Sequence, residues 1–173
     1  MISIPIKPEV KAEISENEIK VSGKLGENTR KFNDLLINVK IDNNNIIIDS
    51  NKIKKLEKKA KKIEQTMATQ IINDMNGVSK YYEIEMQVVS AHFPITAERI
   101  EDMFFIKNII GERAKRSTKI IKNTKVEINN QKIKIYGINL DDVCQTAANI
   151  RKLCKIREKD SRVFQDGIYY AIE

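Results

Sequence analysis

Two stretches decide the fold: VKAEISENEIKVSG at residues 10–23 and TKVEINNQKIKIYG at residues 124–137. Each is an alternating apolar/polar run, a polar turn, a second alternating run and a glycine. That is the pattern of a β-hairpin with one buried face. Laid over each other, they agree at Lys11/Lys125, Glu13/Glu127, Ile14/Ile128, Ile19/Ile133, Lys20/Lys134 and Gly23/Gly137. Their separation is too long for a solenoid repeat, so the pattern predicts a duplicated small domain.

A helix is predicted after each hairpin. In the first half Ile53, Leu56, Ala60, Ile63, Met67, Ile71 and Met75 recur at helical spacing, with Ser50 or Asn51 to cap the start and Asn76-Gly77 to end it. In the second half Val143, Ala147, Ile150 and Cys154 form the matching stripe, with Asn139 as N-cap and Asp142 at the favourable end of the helix dipole. A glycine and an aromatic strand follow each helix, GVSKYYEIE at 77–85 and GIYYAIE at 167–173. Short strands are expected over 85–91, 95–100 and 103–110. The predicted fold is α+β: two tandem duplicated small domains, residues 1–80 and 81–173, each an antiparallel or mixed sheet packed on one helix. The boundary is placed near 77–83, with the first unit's last strand running on into the second.

The 173 residues carry 31 Lys and Arg against 24 Asp and Glu, a formal charge of +7, and 41% are hydrophobic. General disorder is excluded, and a polyanionic partner is favoured. Two cysteines do not make a disulfide scaffold and fit a reducing, cytoplasmic setting. No apolar run could span a bilayer, and residues 1–10 hold no apolar core of a signal peptide, so no membrane association is expected.

Catalytic chemistry finds few candidates. His92 is the single histidine, and beside Phe93-Pro94 it reads as a structural or contact residue. Cys144 and Cys154 would lie about 15 Å apart along one helix, too far to share a metal or a bond. Asp141-Asp142 sits at a helix start, where capping explains it, and Gly23-Lys24-Leu25-Gly26 lacks phosphate-loop spacing. No catalytic residue, metal, cofactor or small-molecule substrate is expected.

The charge is gathered in three blocks. Lys52 to Lys62 holds seven lysines and one acid, Glu57; it reads as a solvated helix face or an RNA contact, and the sequence leaves both open. Lys107 to Lys125 holds seven basic residues against Glu112, and its core, GERAKRSTK, reads as a loop. There Arg113, Lys115, Arg116 and Lys119 stand beside Ser117 and Thr118, a mixture suited to phosphate oxygens; Lys107 and Lys122 flank it. The third block, Arg151 to Arg162, leads into KDSRVFQDGIYY, where Lys159, Arg162 and the Asp166-Gly167 turn before Tyr169 are candidate contacts to a folded polyanion.

Three stretches carry a family resemblance. Lys159, Arg162, Phe164, Asp166, Gly167, Ile168 and Tyr169 resemble the C-terminal signature K-x-x-R-x-F-x-D-G-[aliphatic]-Y of large-subunit ribosomal protein six, numbered nine in the eukaryotic scheme, in its archaeal and eukaryotic branch. Gly77-Val78 through Met86 to Ala91-His92-Phe93-Pro94-Ile95 is similar to the opening of that family's second domain, and Asn108 to Glu112 to the element before its basic loop. In the first hairpin Gly23, Gly26, Arg30 and Phe32 also match. The resemblance implies two duplicated α+β domains in a non-enzymatic constituent of the large ribosomal subunit. Its partners would be large-subunit rRNA and neighbouring ribosomal proteins, in the cytosolic ribosome. It implies rRNA contact mainly through the second domain, near the sarcin–ricin and factor-binding region. The RNA-binding candidates carried forward are Lys107, Arg113, Lys115, Arg116, Lys119, Lys122, Lys159, Arg162, Gly167 and Tyr169. Lys152 stands where the signature has a leading Gln, Tyr170 where it has an aliphatic, and the chain ends at Glu173 without the usual charged tail, so tail contacts are expected to be absent or replaced. The alternatives are a free double-stranded-RNA-binding or regulatory module, and a small enzyme completed by a partner chain or a metal.

Overall fold

Isoleucine and valine at alternate positions build the sheets. The computed structural model of the protein describes residues 2–15, 17–33, 37–42, 44–50, 57–156, 159–160 and 162–171, and the chain divides into two compact units, Met1–Tyr81 and Tyr82–Glu173.

In the first unit, strands β1 (Ile2–Pro5), β5 (Ile37–Asp42) and β6 (Asn45–Ser50) form an antiparallel sheet in the order β1-β6-β5. Strands β2 (Lys11–Ser15), β3 (Glu18–Gly23) and β4 (Gly26–Lys31) form a second one. The register places Ile4 opposite Ile46 and Val39 opposite Ile48, all four buried. Helix α1 (Glu57–Ser79) covers them with Ala60, Met67, Ile71, Met75 and Val78. The expected stripe holds from Ala60 onward, although Ile63 is only half-buried and Glu64 takes the inward position beside it. Ile53, Leu56, Lys52, Lys54, Lys55 and the proposed Asn51 cap lie outside the described residues, as does the Ser50 side chain.

The helix does not stop at Asn76-Gly77. It runs on to Ser79, with Lys80 N–H still bonded to Asn76 O at 2.8 Å. A mid-helix glycine costs about 1 kcal/mol, and the complete burial of Val78 behind Gly77 outweighs that. Val78 also explains Gly23: a Cβ there would stand 2.8 Å from Val78 Cγ2, and Leu25 N–H bonds Val78 O at 3.1 Å. The β3–β4 turn therefore sits directly on the last turn of α1.

In the second unit, β7 (Tyr82–Val89), β8 (Thr96–Ile100), β9 (Met103–Lys107), β10 (Arg116–Lys119), β11 (Lys125–Asn129), β12 (Lys132–Gly137), α2 (Leu140–Leu153) and β13 (Gly167–Tyr170) follow in order. They form an antiparallel four-stranded sheet, β11-β12-β7-β13, and a three-stranded one, β10-β9-β8. Asn139 caps α2, its Oδ1 accepting from Asp141 N–H at 2.9 Å, and Val143, Ala147 and Ile150 are buried with Cys154 behind them. Strand β9 ends at Lys107 rather than 110 because Asn108 and Ile110 take left-handed conformations, φ 63° and 48°. Arg116 to Lys119, read from sequence as loop, is strand.

Three sequence expectations change. Among the described residues no strand follows α1 within the first unit: the Tyr82 strand is central to the second sheet, between β12 and β13. Gly77 therefore does not introduce a strand, as Gly167 does. The aligned hairpins are also not equivalent. In chain order, β1, β2-β3-β4, β5-β6, α1 corresponds to β7, β8-β9-β10, β11-β12, α2, with the same sheet orders β1-β6-β5 and β7-β12-β11. The duplication is present in topology, but residues 10–23 form β2–β3, whose counterpart is β8–β9. The shared letters reflect what any half-buried hairpin requires.

The first unit is tied by one buried ion pair. Asp74 on α1 accepts from Arg30 Nε at 2.7 Å, Arg30 Nη2 at 2.9 Å and Asn28 Nδ2 at 2.7 Å, all from β4. Removing one partner strands a desolvated charge. Asp74→Ala is expected to destabilise the protein by about 3 kcal/mol in urea unfolding, while Ile72→Ala, at an exposed position of the same helix, stays within about 0.5 kcal/mol.

Candidate nucleic-acid interface

Two of the stretches singled out in the second half meet at one carboxylate, and the third packs against them. Asp166 precedes β13, and its side chain is 0% exposed. Oδ1 accepts from Ala91 N–H at 2.7 Å and His92 N–H at 2.9 Å, with Phe93 N–H at 3.5 Å, and Oδ2 pairs with His92 Nδ1 at 2.8 Å. Burial alone pushes this carboxyl up, but the donors of His92, Ala91 and Phe93 outweigh it and hold the group at about 2. The His92 ring lies 5.2 Å from the Phe164 ring, and Lys159 Nζ stands 5.7 Å from the centre of Phe164. On the other side, Phe93 lies beside Gly111, whose φ of 73° suits glycine, and Asn108 Nδ2 bonds Pro94 O at 3.0 Å. Residues 91–94, 108–112 and 159–170 thus form one connected surface.

The expected RNA-binding residues divide by what they already hold. Arg116 is committed within the protein. Its guanidinium reaches Glu112 at 2.9 and 2.5 Å, and Nη1 bonds Leu153 O at 2.7 Å and Lys155 O at 3.2 Å. It satisfies carbonyls at the end of α2, where the dipole favours a cation, and it lowers the Glu112 carboxyl by hydrogen bonding. Lys107 is paired with Glu98 at 2.6 Å, which raises the lysine and lowers the glutamate. Arg162 folds back on Asp160 at 3.2 Å yet remains almost fully exposed. Gly167 is buried and takes no surface role: a Cβ there would meet the Tyr169 ring at 3.2 Å. Tyr169 itself is exposed.

Arg113, Lys115, Lys119 and Lys122 are exposed, but they do not share one face. Strand β10 alternates, with Arg116 and Thr118 on the side of the buried Ile106 and Phe104, and Ser117 and Lys119 on the other side with Phe105 and Met103. Lys107 lies on that outer face, and Lys115 is near enough to Glu98 to lower it through space. On the inner side a groove of about 960 Å³ runs between Arg116 and Thr118 on one wall and Lys152, Lys155 and Lys159 on the other. A second groove, about 500 Å³, is lined by Arg151, Phe164, Tyr169 and Tyr170, with Arg151 5.5 Å from the Tyr170 ring centre. Arg151, Lys152, Lys155 and Tyr170, which the sequence reading did not single out as candidate contacts, line these grooves. Their signal was the third basic block, but only the fold turns it toward a groove.

Cys154 is buried and its thiol is pushed up to about 11 by burial, while Cys144 is exposed. Among the described residues no group of His, Cys, Asp and Glu could hold a metal ion, and no helix is long and apolar enough to cross a membrane.

The family model for ribosomal protein L6 matches residues 104–167. The chain is 39% identical over 167 residues to the large ribosomal subunit protein uL6 of Methanocella arvoryzae, covering 96% of this chain and 93% of that protein. It is 37% identical to the uL6 protein of Methanobrevibacter smithii, over 96% and 92% of the two chains. To that of Haloarcula marismortui it is 35% identical, over 97% and 93%.

Asp166 has a direct pH consequence. A carboxyl held at about 2 contributes stability that is fully present above about pH 4 and is lost as pH falls through about 2. Asp166→Asn is expected to cost about 2 kcal/mol at neutral pH in urea unfolding, and its gap to wild type should narrow between about pH 4 and 2. A gap constant across that range would contradict the assignment.

Proposed function

The chain belongs to the ribosomal protein L6 family, and from that premise we propose that it is a structural constituent of the large ribosomal subunit, acting in the cytosolic ribosome. Members of the family are structural, non-enzymatic components, which agrees with the expectation of no catalysis. Residues 81–173 are the main rRNA-binding lobe and residues 1–80 its duplicated companion. The binding region on the subunit is that around the sarcin–ricin and factor-binding elements, and neighbouring ribosomal proteins flank it.

The observation that carries the reading is where the exposed cations lie. The family match, residues 104–167, contains Arg113 and Lys115 in the exposed loop before β10, and Lys152, Lys155 and Lys159 along the adjoining groove. A structured RNA presents closely spaced phosphates and minor-groove hydroxyls, and a rigid pattern of cations with one groove matches that surface without reading bases. Arg116 and Lys107 position this surface by holding the end of α2 and the edge of β8. Arg113, Lys115, Lys119, Lys122, Lys159 and Arg162 supply charge, and Tyr169 supplies an aromatic face.

The test is incorporation. A variant with Arg113→Ala, Lys115→Ala and Lys155→Ala should keep the wild-type urea midpoint yet be stripped from large subunits at lower salt in gradient centrifugation. Its salt slope for rRNA binding should fall by up to about one for each phosphate no longer neutralised. Arg116→Ala should instead lower stability. If the triple variant stays in the subunit peak at the salt that wild type withstands, this loop and groove are not the anchor.

A further inference from the structure

Asp166 does more than close a turn, because one of its bonds fixes a side chain that faces outward. At about 2, its carboxyl is ionised at neutral pH and can only accept. The 2.8 Å contact therefore requires that His92 Nδ1 carry the proton. In the neutral imidazole, Nε2 is then an acceptor. Among the described residues no protein group bonds that nitrogen, and the His92 side chain is 41% exposed. The ring cannot readily turn away: Oδ2 of Asp166 holds one edge and Phe164 lies 5.2 Å from its centre at an interplanar angle of 36°.

The surroundings say what this acceptor faces. Lys159 stands over the same Phe164 ring, 5.7 Å from its centre, and is exposed. Phe93 is half exposed beside Gly111, two residues before Arg113. An acceptor set among cations does not suit a phosphate, which offers only further acceptors. It suits a hydroxyl donor attached to a polyanion. RNA supplies that combination: the ribose 2′-hydroxyl is a donor lying next to the phosphates that lysine and arginine engage.

We propose that His92 Nε2 is a binding group for a ribose 2′-hydroxyl, held in place by Asp166 and Phe164. This deepens the rRNA reading above and rests on it. Phosphate cations supply the attraction, and the imidazole tests for ribose at one fixed point. Asp166 is a positioning residue here, since it never meets the RNA.

The probe is deproteinised large-subunit rRNA, with the full-length protein. His92→Asn places an amide N–H where Nδ1 stood, keeping the bond to Asp166, and removes the outward nitrogen. The expected result is an unchanged urea midpoint, rRNA affinity lower by about 3- to 10-fold, and an unchanged dependence of affinity on salt. A salt slope reduced by about one would make the contact a phosphate and overturn the hydroxyl assignment. Equal affinity would overturn the proposal outright while leaving the ribosomal reading intact. Failure of wild type to bind rRNA would overturn both. A second measurement needs no variant: because His92 is the single histidine, carbethoxylation by diethyl pyrocarbonate, read by mass spectrometry of its peptide, reports on Nε2 alone. Bound rRNA should protect it, and modification at an equal rate in the complex would likewise overturn the assignment.

Discussion

A buried carboxylate that cannot be protonated at neutral pH needs donors on every side, and Asp166 obtains them from a turn 74 residues away in sequence. The amides of Ala91 and His92 and the imidazole of His92 fill its coordination. Those donors are available only if residues 91–94 leave β7 in one particular path. That path sets Phe93 beside Gly111 and Pro94 O against Asn108, and so fixes the entry to the basic loop. It also stations Phe164 and Lys159 beside the imidazole. One desolvated charge thereby ties residues 91–93 to the turn before β13, with residues 108–111 packed against the same path.

The positive charge of the second unit is divided between framework and contact. Arg116 is held by four bonds to the protein, two of them to carbonyls at the end of α2, so its fork geometry is used inward. Lysines dominate the groove opposite it, where their flexible stems and single charges accommodate a backbone without demanding one geometry. The planar, many-donor cation braces the wall, and lysines line the side opposite.

Among the described residues each unit buries one aspartate against a neighbouring segment, with different consequences. Asp74 is neutralised by Arg30 and hydrogen-bonded by Asn28, and the arrangement is closed inside the first unit. Asp166 is satisfied by amides and a half-exposed imidazole, so its field is expressed at the surface. The second sheet also gains β13, paired on the free edge of β7. Among the described residues the first unit has no equivalent strand. That strand carries Tyr169 and begins directly after Asp166, so only the second unit has this turn.

How much of this was legible follows from the range of the forces. Alternation in residues 10–23 and 124–137, the stripe of α2 and the Asn139 cap are local, and each was read from sequence in its right place because propensity and burial agree there. The end of α1 was not, since Gly77 signals a stop locally and only the packing of Val78 overrides it. The duplication was legible as a fact and misaligned in detail, because any two half-buried hairpins share a period of two whatever their place in a sheet. For the candidate site, the letters marked the basic blocks and the family signature, yet could not separate Arg116 from Arg113. Both are arginines in one basic run, and only the nearness of Glu112 and the end of α2 makes one of them framework. The amino-acid sequence by itself determined the two hairpins, the two helices, the duplicated α+β plan and the charged segments, all consequences of short-range patterning. Which charges face outward, and that a lone histidine is locked by an aspartate 74 positions on, was decided by the tertiary structure, because a buried carboxylate selects its donors by distance in space.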